Sequence, residues 1–320
     1  MRTPTFLLVC LVISAAVFAA SLALGNDYIF FAGYVVMQYV VLSTAWNILG
    51  GYCGYVNFGS AAFFALGAYS TVAIYKFITE NDYYRIPMPV LMLIGGAVSG
   101  VVGLGMGYLT LRLRGAFFAI ATLALAVVLQ TLVVNWDFVG GSRGAYIIRP
   151  EQIEPIGNYI RYLFLIMMLL AVAAVTIARM IEHSRLGYGF ATIRDDEAAA
   201  EASGVPTLRL KLVATALSGA LMGMAGAPFP YYVTYLDPAS GFSLAYAVNS
   251  IAMPLVGGMT SWVGPIIGAV LLGSIQQAAT VSNVLGGHPE INLLIVGLLL
   301  IVFVIAAPNG VIGLLKRRTS

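Results

Sequence analysis

Charge is scarce in this sequence. Only 9% of its 320 residues are Asp, Glu, Lys or Arg, against roughly 25% in a soluble domain. With 60% of residues hydrophobic, a fold in water would have too little polar surface to cover itself. That excludes an ordinary cytosolic enzyme, a disordered chain and a nucleic-acid binder. The 16 basic and 13 acidic residues leave a net charge of only +3. Cysteine is equally sparse: Cys10 sits in an apolar run and Cys53 in a Gly-rich turn. No CxxC spacing exists, so a disulfide framework is excluded. The two histidines, His183 and His288, are far apart, and no metal site is predicted from them. None of the lysines (Lys76, Lys211, Lys316) follows a glycine, so the chain lacks the G-x-x-x-x-G-K-[ST] loop that holds ATP phosphates.

What the sequence has instead is long apolar runs. A helix needs about 20 apolar residues to cross a bilayer core. Ten runs qualify, at roughly 5–25, 28–49, 55–76, 88–109, 115–135, 160–181, 209–233, 242–259, 262–285 and 290–308. They are continuous rather than alternating, which excludes a membrane β-barrel. Backbone groups in lipid must be satisfied within the segment, so helices remain. The expected fold is an all-α polytopic bundle, one transmembrane domain over 1–320. The first run, with Arg2 ahead of it and Ala19-Ala20-Ser21 near its end, also has features of a cleaved signal. It is long for one, and a retained helix gives a consistent topology.

Basic residues orient membrane proteins. With a cytoplasmic N-terminus, the inside segments hold Arg2, Arg112, Arg114, Arg179, Arg185, Arg194, Arg209, Lys211, Lys316, Arg317 and Arg318. The outside segments hold Lys76, Arg85, Arg143, Arg149 and Arg161, so the count is eleven against five. An even number of spans then returns the C-terminus to the cytoplasm of a bacterial-type inner membrane.

The polar stretch over about 182–208 falls inside. Within it, Phe190, Ile193 and Glu197 share the face of a helix at i, i+3 and i+7, and Gly204 with Val205-Pro206 stops that helix. Such a segment is either a solvated linker helix or one presented to a cytoplasmic partner. Composition alone leaves both open.

The residues Thr192-Ile193-Arg194-Asp195-Asp196-Glu197-Ala198-Ala199-Ala200-Glu201-Ala202-Ser203-Gly204 resemble the cytoplasmic coupling loop of ABC-importer permeases. The likeness is to the branched-chain amino acid permease subunits of the LivM/LivH type, closest to LivM. Their A-I-R-D-x-E-x-A-A-x-x-x-G pattern is matched better than the general importer motif, where Gly204 arrives one residue late. Three further stretches resemble that family: Trp46 to Phe64, Leu111 to Leu123, and Gly257-Gly258 with Gly264 to Ala269. Ser60 departs from it, standing where a histidine is often found.

The resemblance implies a second membrane subunit, usually a different chain, two ATPase subunits carrying ATP and Mg, and an extracytoplasmic binding protein. It implies no cofactor on this chain and no catalytic activity of its own. It implies that Phe190, Ile193, Arg194, Asp195, Asp196, Glu197 and Gly204 couple the loop to the ATPase. The substrates it implies are branched-chain amino acids, with urea, short amides or aromatic acids as alternatives.

Two Gly-rich stretches, 50–67 and 257–268, interrupt the apolar runs. Paired interruptions point to a transporter's pathway, while small residues also serve plain helix packing. Asn57, Gly59, Ser60, Thr122, Asn249, Gly257 and Gly258 are the pathway candidates. No acidic residue lies deep in any run, which argues against a self-sufficient proton-driven carrier and against an intramembrane enzyme.

Overall fold

Because lipid offers no hydrogen-bond partners, the apolar runs close their own backbone bonds as helices. The computed structural model describes residues 3–80, 86–110, 113, 115–150, 152–153, 157–281, 297–298, 301 and 310–317. In chain order the long helices are α1 (Thr3–Ala23), α2 (Asp27–Asn47), α3 (Ser60–Glu80), α4 (Met88–Thr110), α5 (Ala116–Val134) and α6 (Tyr159–Glu182). The short α7 (Arg185–Asp195) and α8 (Glu197–Ala202) lead to α9 (Thr207–Gly226), α10 (Phe229–Val233) and α11 (Pro238–Gly241). After them come α12 (Leu244–Gly257), α13 (Val263–Val281) and α14 (Gly310–Arg317). Side-chain caps start α2 and α6. Asn26 Oδ1 accepts the Tyr28 N–H at 3.0 Å, and Asn158 Oδ1 accepts the Ile160 N–H at 3.3 Å.

Eight helical spans among the described residues are long and apolar enough to cross a membrane, and Val263–Ala278 is a shorter apolar helix. Three spans are not one smooth helix: Asp27–Tyr52 joins α2 to a π turn at Ile48–Tyr52, Thr207–Val233 joins α9 to α10, and Pro238–Gly257 joins α11 to α12. The last starts earlier than the expected 242. The expected run 290–308 lies almost wholly outside the described residues.

A tight crossing holds the centre. Gly95, Ser99 and Gly103 of α4 face Thr215, Gly219 and Gly223 of α9, four residues apart on each helix. This spacing lets two backbones approach closely. Ser99 Oγ donates to the Phe63 carbonyl of α3 at 2.9 Å. The large side chains Trp46, Tyr34, Phe63 and Phe64 are fully buried around this core. The helices α1 and α5 lie at the edge and turn large apolar residues outward, among them Leu8 and Phe117. An apolar exterior on a bundle of this length suits a lipid surround.

At one end of the bundle, β1 (Ala145–Tyr146) pairs antiparallel with β4 (Tyr235–Leu236), and β2 (Gln152–Ile153) with β3 (Gly157–Asn158). The opposite end carries α7 and α8. Here the structure corrects the expectation of one helix through 190–204. The chain turns extended at Asp196 (φ −160°, ψ 105°). The Asp196 carboxylate accepts the N–H groups of Ala198 (2.9 Å) and Ala199 (3.0 Å). An aspartate that caps the next turn in this way starts a new helix instead of continuing the old one.

Candidate functional site

The interruption of α2 is built from the sequence Ile48-Leu49-Gly50-Gly51-Tyr52. These residues form a single wide π turn, and the chain then runs without regular structure until α3 begins at Ser60. Glycine is required at position 54, where φ is +80° and a Cβ would lie 2.9 Å from Arg194 Cγ. The Tyr55 N–H returns to the Leu49 carbonyl at 3.1 Å. Trp46 Nε1–H donates to the Asn57 carbonyl at 2.9 Å, and Asn57 Oδ1 accepts the Gly59 N–H at 2.7 Å. The Phe58 N–H donates to Thr122 Oγ1 of α5 at 3.1 Å. Four of the sequence-selected residues, Asn57, Gly59, Ser60 and Thr122, therefore gather at one junction of α2, α3 and α5. Ser60 Oγ is buried there without a hydrogen-bond partner among the described residues.

The other selected residues lie elsewhere. Asn249 joins three helices: its Nδ2 donates to Tyr39 Oη at 3.2 Å, and its Oδ1 accepts from Gln276 Nε2 at 3.0 Å. Gly257 and Gly258 belong to the contact of α12 with α13. A Cβ on Gly257 would fall 1.8 Å from the Gly264 carbonyl, and one on Gly264 would fall 1.8 Å from the Gly258 carbonyl. Of the two readings of this second Gly-rich stretch, close backbone packing is the one the geometry displays.

The loop of α7 and α8 docks directly on the α2 break. Phe190 and Ile193 are buried within this chain, so the apolar stripe read from the sequence anchors the loop to its own bundle. Arg194 lies over the break, with Nη1 3.5 Å from the Gly51 carbonyl and Nε 3.2 Å from Asp195 Oδ1. The Asp195 side chain is 71% exposed. Gly204 (φ +81°) ends α8 as a left-handed cap. The exposed face of the loop thus presents Arg194, Asp195 and the 71% exposed Tyr188.

Glu197 points the other way, into the protein. Its Oε1 meets Lys211 Nζ of α9 at 2.6 Å, with side-chain exposures of 12% and 3%. Its Oε2 accepts the Tyr55 hydroxyl, and Lys211 Nζ donates to Tyr55 Oη at 3.1 Å. Tyr55 in turn packs edge-on against Phe118 of α5, ring centroids 5.0 Å apart. This group closes one wall of a hollow of about 460 Å³, shared by Gly54, Val56, Gly115 and Ala119. A second carboxylate ties the same end together. Glu182 Oε2 accepts the Tyr52 hydroxyl at 3.2 Å and the Trp262 N–H at 2.7 Å.

Tyr55, Lys211 and Glu182 were not selected from the sequence. Each stands near a chosen motif, but pairing Lys211 with Glu197 requires knowing that α9 folds back under α8. A buried ion pair of this kind must satisfy both charges to be tolerated.

Burial pushes the Cys53 thiol up to about 12, with Lys211 lowering it and Glu197 raising it in part. At pH 8 it is a shielded thiol rather than a thiolate, and only the thiolate reacts readily. Cys53 is therefore expected to resist a maleimide in the folded protein and to react after denaturation in SDS, as read by mass spectrometry.

A helical bundle with broken spans, a polar junction beside one break and a helical loop seated over it make a polytopic membrane protein. The chain belongs to the family described as "Branched-chain amino acid transport system / permease component", whose model matches residues 28–304. It is 27% identical over 307 residues to the high-affinity branched-chain amino acid transport system permease protein LivM of Salmonella typhimurium, covering 88% of this chain and 69% of the relative. It is 22% identical over 277 residues to the probable branched-chain amino acid transport permease protein LivH of Methanocaldococcus jannaschii, covering 82% and 86%. It is also similar to the L-arabinose ABC transporter permease protein AraH of Azospirillum brasilense, 25% identical over 202 residues, covering 61% and 58%. No solved structure matches the chain.

Proposed function

We propose that this chain is one membrane subunit of an ABC importer for branched-chain amino acids. It receives the substrate from an extracytoplasmic binding protein and passes it to the cytoplasm. A second permease subunit, a different chain, completes the passage, and two ATPase subunits carry the ATP and Mg. Both termini lie on the cytoplasmic side, with the 182–208 loop. The observation that carries this reading is the seating of α7 and α8 on the α2 break, where Arg194 lies against Gly51 and Gly54. A push on the exposed face of the loop reaches the junction of Asn57, Gly59, Ser60 and Thr122 without passing through lipid. Arg194, Asp195 and Asp196 sit where an ATPase would press, while Phe190, Ile193, Glu197 and Gly204 hold the loop in shape. Asn249, Gly257 and Gly258 support the frame through which substrate passes.

The likeness to AraH favours a second reading, in which the same machinery serves another small polar solute. The test is leucine uptake into membrane vesicles holding this chain, its partner subunits and the binding protein, with and without internal ATP. ATP-dependent uptake that vanishes when this chain is omitted is the expected result. ATP hydrolysis stimulated by the binding protein without leucine uptake would favour the second reading. Leucine uptake without ATP or the ATPase would overturn both in favour of a self-sufficient carrier.

A further inference from the structure

Three elements meet at one buried charge. Lys211 comes from the first turns of α9, Glu197 opens α8, and Tyr55, 142 residues before Glu197, lies in the irregular segment after the π turn. Each member touches both others: Lys211 Nζ to Glu197 Oε1 at 2.6 Å, Lys211 Nζ to Tyr55 Oη at 3.1 Å, and the Tyr55 hydroxyl to Glu197 Oε2. The ammonium also stands 4.8 Å from the centre of the Tyr55 ring. Removing Lys211 or Glu197 takes the counter-charge from the other, which is far costlier than breaking an exposed pair, and removing the Tyr55 hydroxyl takes a hydrogen bond from each.

We propose that Lys211, Glu197 and Tyr55 form a latch that makes α8, α9 and the 53–59 segment move as one piece. Lys211 and Tyr55 are then positioning residues for coupling. Through Phe118 the same latch reaches α5, so a displaced α8 reshapes the hollow beside Gly54 and Gly115. This rests on the importer reading above, which needs the loop to act on the break but does not require these three side chains.

Cys53 gives a readout that needs no substrate. It is fully buried beside the latch. In the complete transporter, Lys211→Met is expected to speed Cys53 alkylation at least about tenfold, as a buried carboxylate that has lost its counter-charge loosens its surroundings. The sign is informative. Losing Lys211 removes a charge that acidifies Cys53, so faster alkylation reports access and not acidity. Tyr55→Phe, which deletes a single oxygen, is expected to act in the same direction by about threefold. Exchanging the pair, Glu197→Lys with Lys211→Glu, is expected to restore most of the protection, because the two buried charges are again paired. Leucine transported per ATP hydrolysed should fall in the two single variants and recover in the exchange.

Wild-type protection of Cys53 in both single variants would overturn the latch. So would an exchange no better than Lys211→Met alone. If Lys211→Met does not accumulate, Tyr55→Phe and the exchange decide. Failure of the importer reading is distinct: it shows in the wild-type complex, as leucine uptake that needs no ATP.

Discussion

Gly67→Leu should leave almost no folded protein in the membrane. A Cβ at Gly67 would sit 1.9 Å from the Gly223 carbonyl oxygen, and that contact is backbone, which cannot rotate away. Gly223 is itself enclosed, its own Cβ falling 2.2 Å from Ser99 Oγ and 2.5 Å from the Gly95 carbonyl. Three helices, α3, α4 and α9, would have to separate to admit one leucine. Within a membrane, apolar burial does little to hold helices together, so close packing is the main attraction being lost. Overpacking a core usually costs about 1–3 kcal/mol. Separating three backbones exceeds that range and consumes a large share of the roughly 5–15 kcal/mol that keeps a protein folded. The check is the yield of monodisperse protein after detergent extraction, with Gly105→Leu as the control. Gly105 has nothing within 4 Å of its missing Cβ, so that variant should match the parent. Equal yields for both would refute the central crossing.

Gly54→Val should leave a folded protein that cannot couple. At φ +80° a β-branched side chain is strained, and its Cβ would press on Arg194 Cγ at 2.9 Å. The backbone cost alone is about 1–2 kcal/mol, or roughly a tenfold shift in the balance between a docked and an undocked loop. The contact with Arg194 adds to it in the same direction. ATP-driven uptake should therefore fall at least about tenfold, while detergent-extracted yield stays near the parent's. A spin-label distance between the loop and the break should lengthen in the same variant. Unchanged uptake would mean that the loop works without resting on Gly54.

The spans were legible in the sequence because hydropathy over 20 residues is a strong signal and lipid forces a helix. The break after α2 was flagged by its glycines, Gly50 and Gly51, but its π form was not. The step between α9 and α10, beside Pro228 and Pro230, was not read. The loop was found by its pattern, but the side its apolar stripe faces was not legible. Phe190 and Ile193 have the spacing of a docking stripe and serve as an anchor. Nothing in a single helix distinguishes the two until the surface it meets is known. Asp196 carried a local clue, since aspartate starts helices more readily than it sits within them. Asn57, Ser60 and Thr122 came together as one junction because two of them share a motif and the third faces it. Asn249 did not join them, because helix order along the chain says little about which spans are neighbours.

The π turn has a mechanical meaning of its own. A wide turn is an α-helix that has taken in one residue more than its length requires. Drawing that residue out would lengthen α2 on one side and swing everything beyond it by about 100°, the angle between successive residues of an α-helix. Tyr52, held by Glu182, ends the turn, and Tyr55, held by Glu197, follows three residues later. The break thus behaves less like a severed strut than like a coil of spare rope beside two cleats. The span keeps its grip on the membrane while its inner end is free to be let out or taken in by one residue.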